Sequence, residues 1–139
     1  MPFLSFVLTG LDRFRPPAPA HAHCDLPCGV YDPAQARIEA ESIRGIQEKY
    51  QASDDEVFRQ RAIIIKEQRA EVTKHHLWVL WTDYFKPEHV ERYPHLHDLF
   101  WRATKAAGEA KKSTDTAQGE ALLDLIAQID KIFWETKAG

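Results

Sequence analysis

The only two cysteines of the chain, Cys24 and Cys28, stand in the run His23-Cys24-Asp25-Leu26-Pro27-Cys28-Gly29-Val30-Tyr31. A small-residue site, Ala20-His21-Ala22, precedes it. Cleavage after Ala22 would make His23 a free N-terminus. An α-amine, an imidazole, a backbone amide and two thiols would then lie within six residues. The His23 amine and the Cys24 amide nitrogen close a five-membered chelate ring on a metal. The Cys24 amide nitrogen and its own sulfur close a second, fused ring, and Cys28 can loop back with another sulfur. Two nitrogens and two sulfurs in a plane favour nickel or copper over zinc, which takes a tetrahedron. The His23 imidazole is placed to serve as a fifth, axial ligand. Thiolates and a deprotonated amide are strong donors, suited to a one-electron Ni(III)/Ni(II) couple. An intact Ala22–His23 bond would leave a poor amide ligand where the amine is needed, so processing is a chemical requirement of the site. Spacing alone leaves an alternative, a pair of free or disulfide-bonded thiols closing a tiny loop.

The rest of the chain must position this segment. Its 139 residues suggest one domain with one real core. The net charge of −3 argues against general nucleic-acid affinity. Two cysteines cannot make a disulfide-rich scaffold. Residues 1–22 differ in composition from the remainder, being apolar over Met1–Leu8 and Pro/Ala-rich from Arg13 to Ala20. The apolar run is too short to span a membrane. Its arginines, Arg13 and Arg15, follow the apolar stretch, whereas a secretory signal carries positive charge ahead of it. Residues 1–22 therefore read as a cleavable maturation leader of a cytoplasmic protein. The Ala-x-Ala ending keeps an export signal as the second reading.

Residues 32–139 read as helical throughout. Asp32 with Gln35 forms a capping-box-like start, and Pro33 suits a first helical position. Ile38, Ile43 and Ile46 predict an apolar stripe on a helix from about residue 33 to 50. Ser53 with Glu56 predicts a second capping box. Val57, Ile64, Ile65, Val72, Leu77 and Leu80 follow at mostly helical intervals, and Pro87 stops that helix near Phe85. A short loop leads to Pro94, which opens a third helix carrying Leu96, Leu99, Phe100 and Ala103. A polar turn over 113–119 precedes a fourth, with Leu122, Leu125, Ile126, Ile129, Ile132 and Phe133. Four helices with short connections predict an all-α, antiparallel up-down four-helix bundle, with the N-terminal metal-binding segment as a non-helical appendage.

Residues 23–31 resemble the nickel hook of the nickel superoxide dismutases. The likeness continues through Asp32-Pro33-Ala34-Gln35-Ala36-Arg37-Ile38-Glu39. It recurs in Ile65-Lys66-Glu67-Gln68-Arg69-Ala70-Glu71, in Lys74-His75-His76, in Asp83-Tyr84-Phe85-Lys86-Pro87 and in 126–137. The resemblance implies a nickel ion ligated by His23, Cys24 and Cys28, and superoxide as substrate. It also implies a homohexamer with hooks buried against neighbouring subunits, and a leader removed by a specific peptidase. The family's hook carries a cis Leu–Pro bond, which Leu26–Pro27 allows. Tyr31 would bound the substrate pocket at the open face of the metal, with Tyr84 as a hydrogen-bonding partner and Asp25 near the narrow opening. Glu39 and Arg69 would orient the axial imidazole, which fixes the ring and tunes the metal. Lys86, and Lys66 with weaker support, would steer the anionic substrate.

Each of these positions also has a plainer explanation. A lone tyrosine packs, a Glu–Arg pair on helix surfaces stabilises little, and a lysine is solvated. His75-His76 and His95-Leu96-His97 invite a rival metal site, but neighbours in sequence do not share a helix face. No Glu-x-x-His pair recurs on two helices as a di-iron bundle requires. Those histidines read as core or interface hydrogen-bonders, and Trp78, Trp81, Trp101 and Trp134 as core and subunit-contact residues. Two other classes compete with a dismutase. A nickel or copper carrier would share the chelate without turnover, and an exported helical interaction protein would carry a small disulfide. Neither needs Tyr31, Glu39 and Arg69 around the hook.

Overall fold

The structure is a computed structural model that describes residues 29–139. The expectations for His23, Cys24, Asp25, Cys28 and the Leu26–Pro27 bond lie outside the described residues.

Asp32 turns the chain into the first helix, α1 (Ala34–Gln51), by accepting from the Ala34 N–H at 2.8 Å. Helix α2 (Glu56–Val79) is capped by Asp55, whose carboxylate takes the Val57 and Phe58 N–H groups. This corrects the Ser53–Glu56 box. Ser53 instead accepts from the Asp55 N–H and braces the cap. The helix runs on through a π turn (Leu80–Tyr84) and ends where Phe85 becomes extended. The expected loop after Pro87 contains a short helix, α3 (Pro87–Arg92), begun by proline at its first position. Helix α4 (Leu96–Lys112) follows a turn closed by Leu96 N–H to Tyr93 O. Helix α5 (Thr116–Ala138) starts at an Asp115 cap, so Gly119 lies inside it rather than in the preceding turn.

The four long helices form the bundle. Helix α1 packs on α2 and α5, and α4 packs on the same two, which places α1 and α4 on a diagonal. Short connections reverse direction each time, giving the antiparallel up-down order. The core is built from Leu77, Leu96, Leu99, Leu122, Ile126, Ile129 and Phe133, with alanines at 36, 40, 70, 103, 107 and 110 letting the helices approach.

The apolar stripe of α1 is not the one expected. Ile38 is exposed, and the buried line is Ala36, Ala40, Ile43 and Gln47. On α2 the large apolar residues Val57, Ile64 and Ile65 face outward, while Ala62, Lys66, Ala70, Thr73 and Leu77 are buried. Small residues fill the crowded seam, so apolar bulk does not mark the inner face of these two helices. Trp78, Trp101 and Trp134 are also exposed, and only Trp81 packs against the core.

Lys66 corrects another expectation. It is 2 % exposed, and its Nζ donates to the carbonyls of Ala110 and Lys111. The last carbonyls of a helix lack intrahelical partners. Lys66 satisfies two of them at the C-terminus of α4, with Gln47 Nε2 reaching Ala110 O and Ser113 O alongside. Its burial pushes the lysine pKa down, partly opposed by the charge of Glu67. A buried ammonium used as a helix cap cannot steer a substrate in solvent.

Candidate active site

The described chain begins at Gly29 with φ at +69°, in the left-handed region that glycine adopts without a steric penalty. A Cβ there would meet nothing within 4 Å, so backbone conformation rather than crowding favours glycine. The Gly29 carbonyl accepts from Lys137 Nζ at 3.0 Å. Val30 is 80 % exposed, and Tyr31 turns inward, its ring 5.7 Å from that of Tyr84.

Tyr84 is the centre of the arrangement. The π turn carries it to the end of α2, and Phe85 follows in extended backbone, which lets two consecutive aromatic residues both reach the core. Such turns are common at functional sites because one extra residue re-aims the side chains after it. Phe133 and Phe85 pack on the Tyr84 ring at 4.3 and 5.0 Å between centroids, and His89 stacks at 5.8 Å. The Tyr84 hydroxyl lies 2.8 Å from Thr136 Oγ1. The Thr136 hydroxyl donates its one proton to Phe133 O at 2.7 Å, so Tyr84 is the donor in their shared bond. His89 Nδ1 accepts from the Lys86 N–H at 3.2 Å.

Together Gly29, Tyr31, Asp83, Tyr84, Lys86, His89 and Thr136 line an open cleft of about 330 Å³. Among the described lining residues, the charged groups are the Lys86 ammonium and the Asp83 carboxylate. The Lys137 ammonium stands 5.4 Å from the centre of the Tyr84 ring. The structure thus brings Tyr31, Tyr84 and Lys86 to one place. Glu39 and Arg69 form a separate bridge between α1 and α2, with Arg69 Nη1 at 3.3 and 3.2 Å from the two carboxylate oxygens. Lys66 is at the opposite end of the bundle, about 30 Å away by the length of α5. Lys137, Thr136, His89 and Asp83 had no role assigned from sequence, and Phe133 only a place on the apolar face of its helix. All but His89 lie in the segments that carried the family resemblance, which was their only signal for this site.

Among the described residues, no group of three or more His, Cys, Asp or Glu side chains is arranged to hold a metal. His75 and His76 meet each other edge-on, His97 packs on Trp81, and His95 on Tyr93.

The sequence model of the nickel-containing superoxide dismutases matches residues 18–137. The chain belongs to the nickel-containing superoxide dismutase family. It is 67 % identical over 124 residues to "Superoxide dismutase [Ni]" of Streptomyces seoulensis, covering 89 % of this chain and 95 % of that one. Against the protein of the same description from Streptomyces coelicolor, identity is 63 % over the same length and coverage. A solved nickel-containing superoxide dismutase, with the ligation of a partly X-ray-reduced state, superposes with a TM-score of 0.82 at 68 % identity. That match covers 84 % of this chain and 100 % of the solved one. A native structure of the enzyme gives the same TM-score and coverage at 64 % identity.

Nickel is the metal of the family, and the donors in this chain fit it. A nickel centre that undergoes redox needs soft, strongly donating ligands. The only thiols are Cys24 and Cys28, immediately ahead of Gly29. The nickel-dismutase fold thus presents its described cleft at the place where the thiol-bearing segment joins the bundle.

Proposed function

We propose that His23, Cys24 and Cys28 hold the nickel of this enzyme after cleavage behind Ala22, and that the Tyr31–Tyr84 cleft is where substrate approaches. The chain is a nickel-dependent superoxide dismutase, converting superoxide to dioxygen and hydrogen peroxide. The observation that carries the site reading is the placement of the Tyr31–Tyr84 pair at the junction with residue 28. When bound, nickel supplies the Ni(III)/Ni(II) couple that accepts an electron from one superoxide and returns it to a second, which takes up two protons.

The residues of the chain provide the surroundings of that chemistry. The Cys24 amide and the two thiolates would hold the nickel as strong donors, with the His23 amine and imidazole completing the set. Tyr31 and Tyr84 bound a space suited to a diatomic anion and ordered water. The Tyr84 hydroxyl, having given its proton to Thr136, offers lone pairs to a donor in the cleft. Lys86 brings positive charge to the rim, favouring encounter with an anion. The family resemblance gives Asp25 a place near the opening and gives the Glu39–Arg69 pair, bridged here at 3.2 Å, the role of orienting the His23 imidazole.

The leader has support in the comparisons. A solved relative is matched over its whole length by 84 % of this chain, so part of the chain, residues 1–22 in this reading, has no counterpart there. A dedicated peptidase in the cytoplasm would remove that stretch, and the mature chain would assemble as a homohexamer. Among the described residues no helix is long and apolar enough to cross a membrane.

The test compares chain starting at His23 with chain retaining residues 1–22, both exposed to nickel. Decay of pulse-generated superoxide is followed in each. Fast catalytic decay only in the cleaved form supports the amine ligand. Equal decay in both overturns it, and bound nickel without decay leaves a carrier.

A further inference from the structure

Helix α5 supplies more than the aromatic wall of the cleft. Lys137, in its last turn, reaches across 108 positions of sequence to the Gly29 carbonyl at 3.0 Å. The same ammonium sits 5.4 Å from the centre of the Tyr84 ring and 5.6 Å from that of Phe133. A lysine at a helix C-terminus is favoured by the helix dipole, but that preference is satisfied with the amine in water. It does not account for an ammonium held over two rings and bonded to a carbonyl outside the helix. The carbonyl it holds belongs to the residue directly after Cys28. Among the described residues a Cβ at Gly29 would touch nothing and Val30 is exposed, so the first packing contact of this stretch is Tyr31 on Tyr84.

We propose that Lys137 is a positioning residue for the metal-binding segment, its Gly29 bond fixing where the chain carrying Cys24 and Cys28 leaves the bundle. This rests on the reading that residues 23–28 hold the nickel. The clamp acts on the backbone alone, so it operates before metal arrives. It lowers the ordering cost of closing the chelate, as preorganisation does for other ligand sites. Arginine should substitute in part, because it keeps a donor for the carbonyl and a cation for the rings. Methionine keeps the stem and loses both.

The experiment uses chain beginning at His23, as parent, Lys137→Met and Lys137→Arg. Amide hydrogen exchange is measured first without metal. Loss of one charge-assisted hydrogen bond at an exposed site should speed exchange over residues 29–31 about fivefold, with thermal unfolding of the bundle unchanged. Nickel release to excess chelator is then timed, and Lys137→Met should lose metal about fivefold faster by the same reasoning, with Lys137→Arg close to parent. Unchanged exchange in metal-free Lys137→Met overturns the clamp. A Cys24→Ser/Cys28→Ser chain that keeps its nickel overturns the hook reading instead, and the metal-free exchange distinguishes the two failures.

Discussion

The direction of a single proton at the Tyr84 hydroxyl decides what that group offers the cleft. Thr136 spends its own proton on Phe133 O, so Tyr84 donates to Thr136 and stays an acceptor toward the open side. Replacing Tyr84 with phenylalanine should leave packing on Phe133 and Phe85 intact and remove the acceptor. The expected result is a loss of about fivefold in superoxide decay, the size of one hydrogen bond of roughly 1 kcal/mol, with nickel content per subunit unchanged. Equal decay in parent and Tyr84→Phe would remove the hydroxyl from the site. Lys66 illustrates the reverse case, a residue whose sequence neighbourhood suggested substrate steering and whose environment makes it a structural cap. Its folded-state pKa lies below the ordinary 10.5, because burial disfavours the charged amine. A lysine with a lowered folded pKa binds fewer protons folded than unfolded, so its contribution to stability rises with pH up to about the unfolded value. The gap in unfolding temperature between parent and Lys66→Met should therefore widen in the parent's favour as pH climbs toward 10.5. A gap that stays level or narrows would contradict the buried-cap account.

Among the elements, the helix termini and one glycine show how local chemistry positions the bundle. Asp32, Asp55 and Asp115 each sit ahead of a helix and take its first free N–H groups. At the other end of α4, Gln47 and Lys66 from two different helices take the last carbonyls, which binds α1, α2 and α4 together. Gly119 is part of this junction. A Cβ there would stand 2.5 Å from Gln47 Oε1, 2.9 Å from Arg44 Cβ and 3.0 Å from Arg44 Cα. The last of these is backbone, so α1 and α5 must separate to admit it. Gly119→Ala should destabilise the bundle by about 1–3 kcal/mol, the usual cost of overpacking, despite alanine's better helix propensity. Chemical denaturation checks this, and an unchanged or raised midpoint would mean that the helices can shift freely there. The π turn is the element that matters most for the cleft, since it delivers Tyr84 and Phe85 to the same side. Nothing in the spacing of Leu77, Leu80, Tyr84 and Phe85 announced it. Proline at 87 marked where the helix must stop, and Phe85, just after the turn, packs against Phe100 and Phe133.

Taken whole, one copy of the chain leaves much apolar surface in water. Ile64 is 58 % exposed and Trp101 57 %, with Val57, Ile65, Trp78 and Trp134 also outward. Exposed apolar side chains mark contact surfaces where they cluster, and the proposed homohexamer would cover them. Ile64→Lys should shift the sedimenting species to smaller mass while changing monomer stability by less than about 0.5 kcal/mol, as exposed substitutions do. Sedimentation identical to parent would mean that the Ile64 face is not part of the assembly. By itself, the sequence determined the helical class and the order of four long helices, and it pointed to the residues proposed as metal ligands. Proline and aspartate act within a few residues, and a chelate of amine, amide and thiolates is set by covalent spacing. It also named Tyr31, Tyr84 and Lys86 through the family pattern. Only the tertiary structure decided which face of α1 and α2 is inside, because alanine seams pack more closely than isoleucine ones. It alone decided that Lys66 is a cap and Lys137 a clamp. A lysine's role depends on which distant carbonyl its ammonium meets, and that is settled by helices packing side by side.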